Sequence, residues 1–152
     1  MSKTLWFEDI KLGDNLTSGR VIITQDHINM FAKAGGDINP LHLDPEYAKK
    51  RFPFRKLIGQ GELLAARLTS LGAELIGYES IMLHGQTHTI FLKPLIPGDG
   101  VYAKYSVYDV KDENKRFGMI KINGTLIRVS DDEVLARGMR ELSIFKKPKG
   151  SE

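Results

Sequence analysis

Residues 57–76 read LIGQGELLAARLTSLGAELI, an almost continuous apolar run with helical spacing. Small side chains recur within the run and allow other backbone segments to approach closely. They are Gly59, Gly61, Ala65, Ala66, Gly72 and Ala73. The pattern therefore predicts a helix that is buried at the centre of the fold.

The second half of the chain carries the alternating and β-branched pattern of strands. Candidate strands are residues 87–91, 101–110, 117–129 and 134–145, and turn-forming residues separate them at 97–100, 112–114 and 130–132. Such short separations join antiparallel strands as hairpins. A long helix followed by these strands predicts an α+β domain in which the helix lies across a curved antiparallel sheet.

Length and composition favour a single domain. The chain has 152 residues, enough to bury a core without disulfides or a structural metal. No internal repeat or low-complexity linker divides it. We expect residues 1–152 to form one unit, with a frayed basic tail over 144–152, where Lys146-Lys147-Pro148-Lys149 concentrates positive charge.

Charge and cysteine content exclude several classes of function. The chain has no cysteine, which excludes thiol nucleophiles, cysteine-ligated metals and disulfides, and fits a reducing compartment such as the cytoplasm. The net charge is +3 and the pI about 9.1, but acidic and basic residues are interspersed, which argues against a nucleic-acid surface. No segment is apolar for the roughly 18 residues that suggest a membrane span, so we expect no membrane association.

Capping signals flank a polar segment in the first half of the chain. Thr24 precedes apolar residues at helical spacing, so it is the expected N-cap of a helix. Asp44-Pro45 is a favourable cap and first-turn pair for a short helix that ends before Pro53. Helices therefore hold the polar segment from both sides.

That segment lies within FAKAGGDINPLHLDPEYA, residues 31–48, and places Asp37 and His42 five residues apart. Gly35-Gly36 lets the backbone leave the helix through dihedrals that other residues avoid, and Asn39-Pro40 forces a turn. We therefore expect both titratable side chains on a stiff loop rather than on a helical face. A carboxylate and an imidazole that share one water molecule can add water to a double bond or remove it.

The same segment resembles the signature of the MaoC-like dehydratases, a family that includes the (R)-specific enoyl-CoA hydratases. The matching residues are Phe31, Gly35, Gly36, Asp37, Asn39, Pro40, Leu41, His42 and Ala48. The likeness covers most of the chain, from Trp6 to the turn at 91–99, and the local departure at Ala34 concerns packing. The resemblance implies a hot-dog fold, in which a curved sheet wraps a long central helix.

The resemblance also implies a reaction, the reversible syn hydration of a trans-2-enoyl-CoA to an (R)-3-hydroxyacyl-CoA. Asp37 and His42 would activate the water without a metal or a redox cofactor. Coenzyme A would be part of the substrate rather than a cofactor. Which of the two is the base stays open, since a coupled pair titrates as a unit. The substrate would be an acyl-CoA or an acyl-carrier-protein thioester, and the protein a homodimer or a dimer of dimers.

Gly61 stands where the family has the glycine whose amide binds the thioester oxyanion, at the positive end of the central helix. We predict that Gln60 and Asn39 also contact the substrate. Gln60 and Glu62 depart from the commoner His-Gly-Met-Leu pattern of the family. Glu62 is either an exposed first-turn acid or, if it points into the acyl pocket, an obstacle to a long apolar substrate.

Basic residues near this region are candidate contacts for the phosphates of the substrate, and we name Lys56 and Lys93 for that role. Two other functions fit the fold: hydrolysis of a thioester by water that Asp37 directs at the carbonyl, and acyl-thioester binding without catalysis. A metal site at His84 and His88 is disfavoured, because residues four apart on a strand are too distant to hold one ion.

Overall fold

The computed structural model of the chain describes residues 3–150. In the described residues, a short 3-10 turn at Phe7–Asp9 is followed by four helices and seven strands. They are β1 (Asn15–Thr17), β2 (Val21–Ile22), α1 (Gln25–Gly35), α2 (Pro40–Leu43), α3 (Pro45–Lys49), α4 (Gly61–Ile76), β3 (Ile81–Thr87), β4 (Ile90–Phe91), β5 (Gly100–Asp112), β6 (Phe117–Arg128) and β7 (Val134–Phe145). The three longest strands confirm the predicted meander: β5 is longer than predicted at both ends, β6 ends one residue earlier, and β7 has the predicted bounds.

The strands of the described region form one antiparallel sheet of seven strands that does not close into a barrel. Its main order is β1-β5-β6-β7-β3, with β2 paired to β5 and β4 paired to β7. Hairpins join β5 to β6 and β6 to β7, as predicted. The connection from α4 leads to β3, which lies at the far edge beside β7 rather than next to β5.

Helix α4 is the predicted central helix, and it packs against the middle of the sheet. Leu64, Leu68 and Ile76 are almost fully buried in the same apolar core as residues of β5, β6 and β7. The Tyr105 hydroxyl on β5 donates a hydrogen bond of 2.5 Å to the Leu68 carbonyl. The close approach of α4 to β5 favours glycine at position 72, because a Cβ added to Gly72 would lie 3.2 Å from the Tyr105 ring.

The helix begins four residues later than the apolar run suggests. Gln60, in an extended conformation, is the N-cap residue, and Gly61 is the first helical residue. The preceding backbone is held on a neighbouring segment, because the Gly59 amide donates to the Leu95 carbonyl at 2.8 Å. Apolar residues at 57 and 58 therefore belong to an extended lead into the helix, which periodicity alone does not distinguish from its first turn.

The predicted strand over 87–91 is wrong in its bounds, because two strands meet there with a break at His88 and Thr89. The cause lies on β7. Gly138 is so close to the break that an added Cβ would collide with the His88 carbonyl. Two residues further along β7, Arg140 binds the same break through its guanidinium group.

Arg140 is buried to 1% exposure although it carries a charge. Its donors bind neutral oxygens, namely Thr69 Oγ1 at 2.9 Å, the carbonyls of His88, Met139 and Ala65 at 3.1, 3.0 and 3.1 Å, and Thr89 Oγ1 at 2.8 Å. Among residues 3–150 no carboxylate forms an ion pair with it. Arg140 thus joins α4 to the break between β3 and β4.

The region predicted as a basic tail starts inside β7, which runs to Phe145. Lys146 then pairs with Asp112 at 2.7 Å and Lys147 with Asp9 at 2.6 Å. Residues 151 and 152 of that region lie outside the described residues. The single-domain assignment for 1–152 stays a prediction.

Between residues 3 and 150 no helix is both long enough and apolar enough to cross a membrane. The cytoplasmic location stays a prediction.

Candidate active site

A capping threonine and a glycine mark the two ends of α1, the helix that leads to the Asp-His segment. The Thr24 hydroxyl accepts from the His27 amide, and the Thr24 amide donates to His27 Nδ1 at 3.0 Å, so the predicted N-cap is confirmed. At the other end Gly36 adopts a φ of 77°, which glycine tolerates without strain. Its amide binds the Ala32 carbonyl and ends α1 immediately before Asp37.

His42 lies in the one-turn helix α2, not on a loop as predicted. Asn39 Oδ1 accepts from the Leu41 amide at 3.0 Å and Pro40 occupies the first helical position, a combination that favours a helical turn. The predicted N-cap of α3 is confirmed, because Asp44 Oδ1 accepts from the Glu46 amide at 2.9 Å. Asp37 stays in the non-helical link between α1 and α2.

Asp37 and His42 face each other, with Asp37 Oδ2 3.6 Å from His42 Nε2. The other ring nitrogen, His42 Nδ1, is 2.8 Å from the Ile58 carbonyl in a buried position. A carbonyl only accepts hydrogen bonds, so Nδ1 carries the hydrogen and Nε2 of the neutral ring has a free lone pair. An ionised Asp37 and this lone pair are both acceptors, and a water that lies to one side of the pair, within reach of both, would donate one hydrogen to each.

Gln25, the first residue of α1, positions this pair and was not predicted from the sequence. Its Nε2 donates to the His42 carbonyl at 2.8 Å and to Asn29 Oδ1 at 2.9 Å. The side chain therefore connects α1 to the turn that carries His42. No local signal marks Gln25, because the residues it joins are 17 positions apart.

A cavity of about 310 Å³ opens in front of His42. Its lining residues are His42, Phe54, Ile58, Gly59, Gly61, Leu64, Phe91, Leu92, Lys93 and Pro94. The Phe91 ring lies over Gly61, 3.3 Å from the place where a Cβ would stand. His42, Gly61 and Lys93, three of the predicted site residues, therefore share one cavity with largely apolar walls.

Asp37, Gln60 and Asn39 lie outside that set of lining residues. Gln60 is fully buried, and its Nε2 donates to the Ile28 carbonyl at 3.0 Å, so its amide is turned towards α1. Asn39 uses its side-chain oxygen to cap α2. Their predicted contacts with substrate stay predictions.

A basic pocket of about 340 Å³ lies beside this cavity. It is lined by Pro45, Lys49, Arg55, Lys56, Leu57, Ile96 and Pro97. The two pockets are adjacent along the chain, since Phe54 and Ile58 line the first cavity and residues 55–57, between them, line the basic pocket. Lys56 therefore lies next to the cavity that contains Lys93, although the two lysines line different pockets.

The described residues contain no group of three or more His, Cys, Asp or Glu side chains arranged to hold a metal ion. His88 lies in the break after β3, where its carbonyl accepts from Arg140.

Comparison with known proteins gives the family of the chain. Residues 11–127 match the family model described as "MaoC like domain". This chain belongs to the MaoC-like domain family. The resemblance seen in residues 31–48 is thereby confirmed.

Relatives with assigned activities support the same grouping. The chain is 32% identical over 111 residues to an (R)-specific enoyl-CoA hydratase of Rhodospirillum rubrum, covering 72% of this chain and 74% of the relative. It is 34% identical over 95 residues to 3-hydroxyacyl-thioester dehydratase Z of Mycobacterium tuberculosis, covering 60% of this chain. That match spans only 62% of the mycobacterial protein's length.

Among solved structures, the MaoC-like dehydratase of Rhodospirillum rubrum superposes with a TM-score of 0.79 at 25% identity. The match covers 95% of this chain and 99% of that one. The predicted hot-dog fold is confirmed by such neighbours.

The bond from His42 to Ile58 predicts a difference between two substitutions. His42→Ala leaves the buried Ile58 carbonyl without its donor, whereas His42→Asn keeps an N–H near the position of Nδ1. We expect the free energy of unfolding of the Ala variant to be lower than that of the Asn variant by about 1–2 kcal/mol, measured by urea denaturation. Equal losses in the two variants would contradict the assigned bond.

Proposed function

We propose that this protein is a hydro-lyase that adds water reversibly to a trans-2-enoyl thioester and gives an (R)-3-hydroxyacyl thioester. The observation that carries the proposal is the pair of acceptors at Asp37 Oδ2 and His42 Nε2, 3.6 Å apart, of which His42 lines a cavity together with Gly61. A water that donates to both acceptors has its lone pairs directed away from them, available for attack on a substrate carbon.

His42 is the base in this proposal. Its Nε2 takes a proton from the water as the water oxygen bonds to C3, while the electrons of the C2–C3 double bond move towards the thioester oxygen. The enolate then collapses and takes a proton at C2 from Nε2, so that H and OH add to one face of the substrate. Asp37 orients the water and stabilises the imidazolium through its opposite charge.

Gly61 holds the enolate oxygen in this proposal. It is the first residue of α4, where backbone amides lack partners within the helix and the helix dipole is positive. The N-cap residue Gln60 makes no side-chain capping bond that would compete for these amides. Donors placed where charge develops lower the barrier most, because they need no reorganisation during the reaction.

Crotonyl-CoA tests the reaction and its two alternatives. We expect loss of the enoyl absorbance without release of free thiol. Thiol release would instead indicate the thioesterase, and the absence of both signals would favour a binding module.

In Asp37→Asn and His42→Asn, kcat should fall by at least about a hundredfold because each variant loses a group that acts on the water. The matched controls are Asp26→Asn and His88→Asn, which should keep wild-type turnover; near-normal kcat in either site variant contradicts the mechanism.

The basic pocket beside the cavity is the proposed site for the phosphates of coenzyme A, with Lys56 in the pocket and Lys93 among the residues that line the cavity. Proline, leucine and isoleucine side chains form the rest of the basic pocket, which suits a nucleotide with an apolar ring face. The charge of the pocket would attract the phosphates, and the adjoining cavity would hold the thioester.

Lys56→Ala should raise the KM for crotonyl-CoA about three- to tenfold and leave kcat unchanged, because a phosphate contact contributes equally to ground state and transition state. The KM for crotonyl-pantetheine, which lacks the nucleotide, should not change. Lys115→Ala, on the exposed β5–β6 hairpin, is the control. An equal rise in KM for both substrates would contradict the assignment of Lys56 to the phosphate site.

A homodimer is the proposed assembly. β3 lies at an edge of the sheet, and the surface there is apolar. The exposed apolar residues on and after β3 are Met82, Leu83, Ile90, Phe91 and Leu92. Edge strands with such side chains are usually covered in the native assembly. Because Phe91 also lines the cavity, a second copy at this edge would lie next to the site.

Sedimentation equilibrium should give about twice the 17.1 kDa mass of the chain. Leu83→Glu should shift the mass towards that of one chain, because it places a charge in the apolar surface. Leu12→Glu changes another exposed leucine away from β3 and should leave the mass doubled. A wild-type monomer at micromolar concentration would contradict the assembly.

A further inference from the structure

Three hydrogen bonds from side chains connect His42 and the segment before α4 to one part of α1. Gln25 Nε2 donates to the His42 carbonyl at 2.8 Å, and His42 Nδ1 donates to the Ile58 carbonyl at 2.8 Å. Gln60 Nε2, two residues after Ile58, donates to the Ile28 carbonyl at 3.0 Å. Ile28 lies three residues after Gln25 in α1, so the three bonds begin and end near the start of the same helix.

Gln60 lies next to the proposed oxyanion donor, because it directly precedes Gly61, the first residue of α4. The segment before α4 is bound to two different neighbours. The Gly59 amide donates to the Leu95 carbonyl at 2.8 Å, and the Gln60 side chain donates to α1. Bonds to two neighbours fix the direction of the segment as well as its position. That direction determines where the Gly61 amide lies relative to the His42 imidazole.

The stability of the fold does not by itself account for glutamine at position 60. Gln60 is fully buried, and its Oε1 has no hydrogen-bond partner on the protein within residues 3–150. Gln25 Oε1 is also buried without such a partner. A buried amide oxygen of this kind costs free energy unless a water reaches it, whereas an apolar side chain of the same length has no such requirement. The amide at position 60 therefore points to a role in the site.

We propose that Gln60 is a positioning residue, which holds the Gly61 amide at a fixed position relative to the His42 imidazole. The inference rests on the proposed function, since it concerns the spacing between the base and the oxyanion donor of that reaction. Both groups act in one transition state, because His42 Nε2 takes the proton of the water while the thioester oxygen gains charge. A small error in their spacing lowers kcat, whereas the phosphates of the substrate bind elsewhere and keep KM nearly unchanged.

Gln60→Met removes the amide and keeps the length of the side chain. We expect kcat for crotonyl-CoA to fall about tenfold or more, with KM within about threefold of the wild-type value. The urea midpoint should be unchanged or higher, because the variant lacks the buried oxygen and the Ile28 carbonyl remains an acceptor within α1. Wild-type kcat in Gln60→Met overturns the inference.

The matched control is Tyr105→Phe, which also removes a buried hydrogen bond from a side chain to a backbone carbonyl. That carbonyl belongs to Leu68, further along α4 from the site. The control should show the reverse pattern, a lower urea midpoint with kcat unchanged. A loss of kcat in the control equal to that in Gln60→Met would contradict a specific role for position 60.

Gln60→Glu separates the hydrogen-bond donor from the shape of the side chain. A protonated carboxyl donates to the Ile28 carbonyl as the amide does, and an ionised carboxylate does not. Burial raises the pKa of a carboxyl, so at about pH 5.5 this variant carries the hydrogen. We expect its kcat at that pH to be within about threefold of the wild-type value, while Gln60→Met stays impaired. Equal losses in the two variants at that pH overturn the inference.

A measurement without turnover separates this inference from the reaction itself. The Nδ1 hydrogen of His42 is buried in its bond to the Ile58 carbonyl, so its exchange with solvent reports local opening of that contact. By NMR of isotope-labelled protein, we expect this exchange to be about tenfold or more faster in Gln60→Met than in the wild type. Faster exchange supports the positioning role even if no enoyl-CoA is hydrated, and unchanged exchange overturns it. Hydration of crotonyl-CoA at equal kcat in both proteins overturns the positioning role and leaves the proposed reaction standing.

Discussion

The hydrogen bond from His42 Nδ1 to the Ile58 carbonyl is the interaction on which the site depends. It connects the turn after α1 to the extended segment before α4, so the imidazole and the Gly61 amide face one cavity. It also determines which ring nitrogen carries the hydrogen, because a carbonyl cannot donate. The proposed base and the proposed oxyanion donor come from separate parts of the chain, and this bond of 2.8 Å joins those parts.

Features that depend on neighbouring residues could be predicted from the sequence. Thr24 and Asp44 act as N-caps because their side-chain oxygens reach amides two or three residues on. Gly36 ends α1 because glycine tolerates a positive φ. The strands of the meander follow from alternation, since one face of each packs on the core. The helical turn at His42 was missed, although Asn39-Pro40 is itself a cap and first-turn pair.

Features that depend on distant residues could not be predicted in this way. Gln60 turns inward because the Ile28 carbonyl, 32 positions away, accepts from its amide. The break between β3 and β4 depends on Arg140, which is more than 50 positions from the residues it binds there. A signal for Arg140 did exist, because it alternates with Leu142 and Ile144 on the buried face of β7. Burial of an arginine in that register requires partners that the sequence does not identify.

Glu62 illustrates how the fold accepts a departure from the commoner family pattern without losing stability. An acid in the first turn of a helix is favoured by the helix dipole, so the fold accepts glutamate at this position whatever the substrate. Position 61 is more restricted, because a Cβ on Gly61 would lie 3.3 Å from the Phe91 ring. Position 62 can therefore vary within this fold while the residues around Asp37 and His42 keep their geometry.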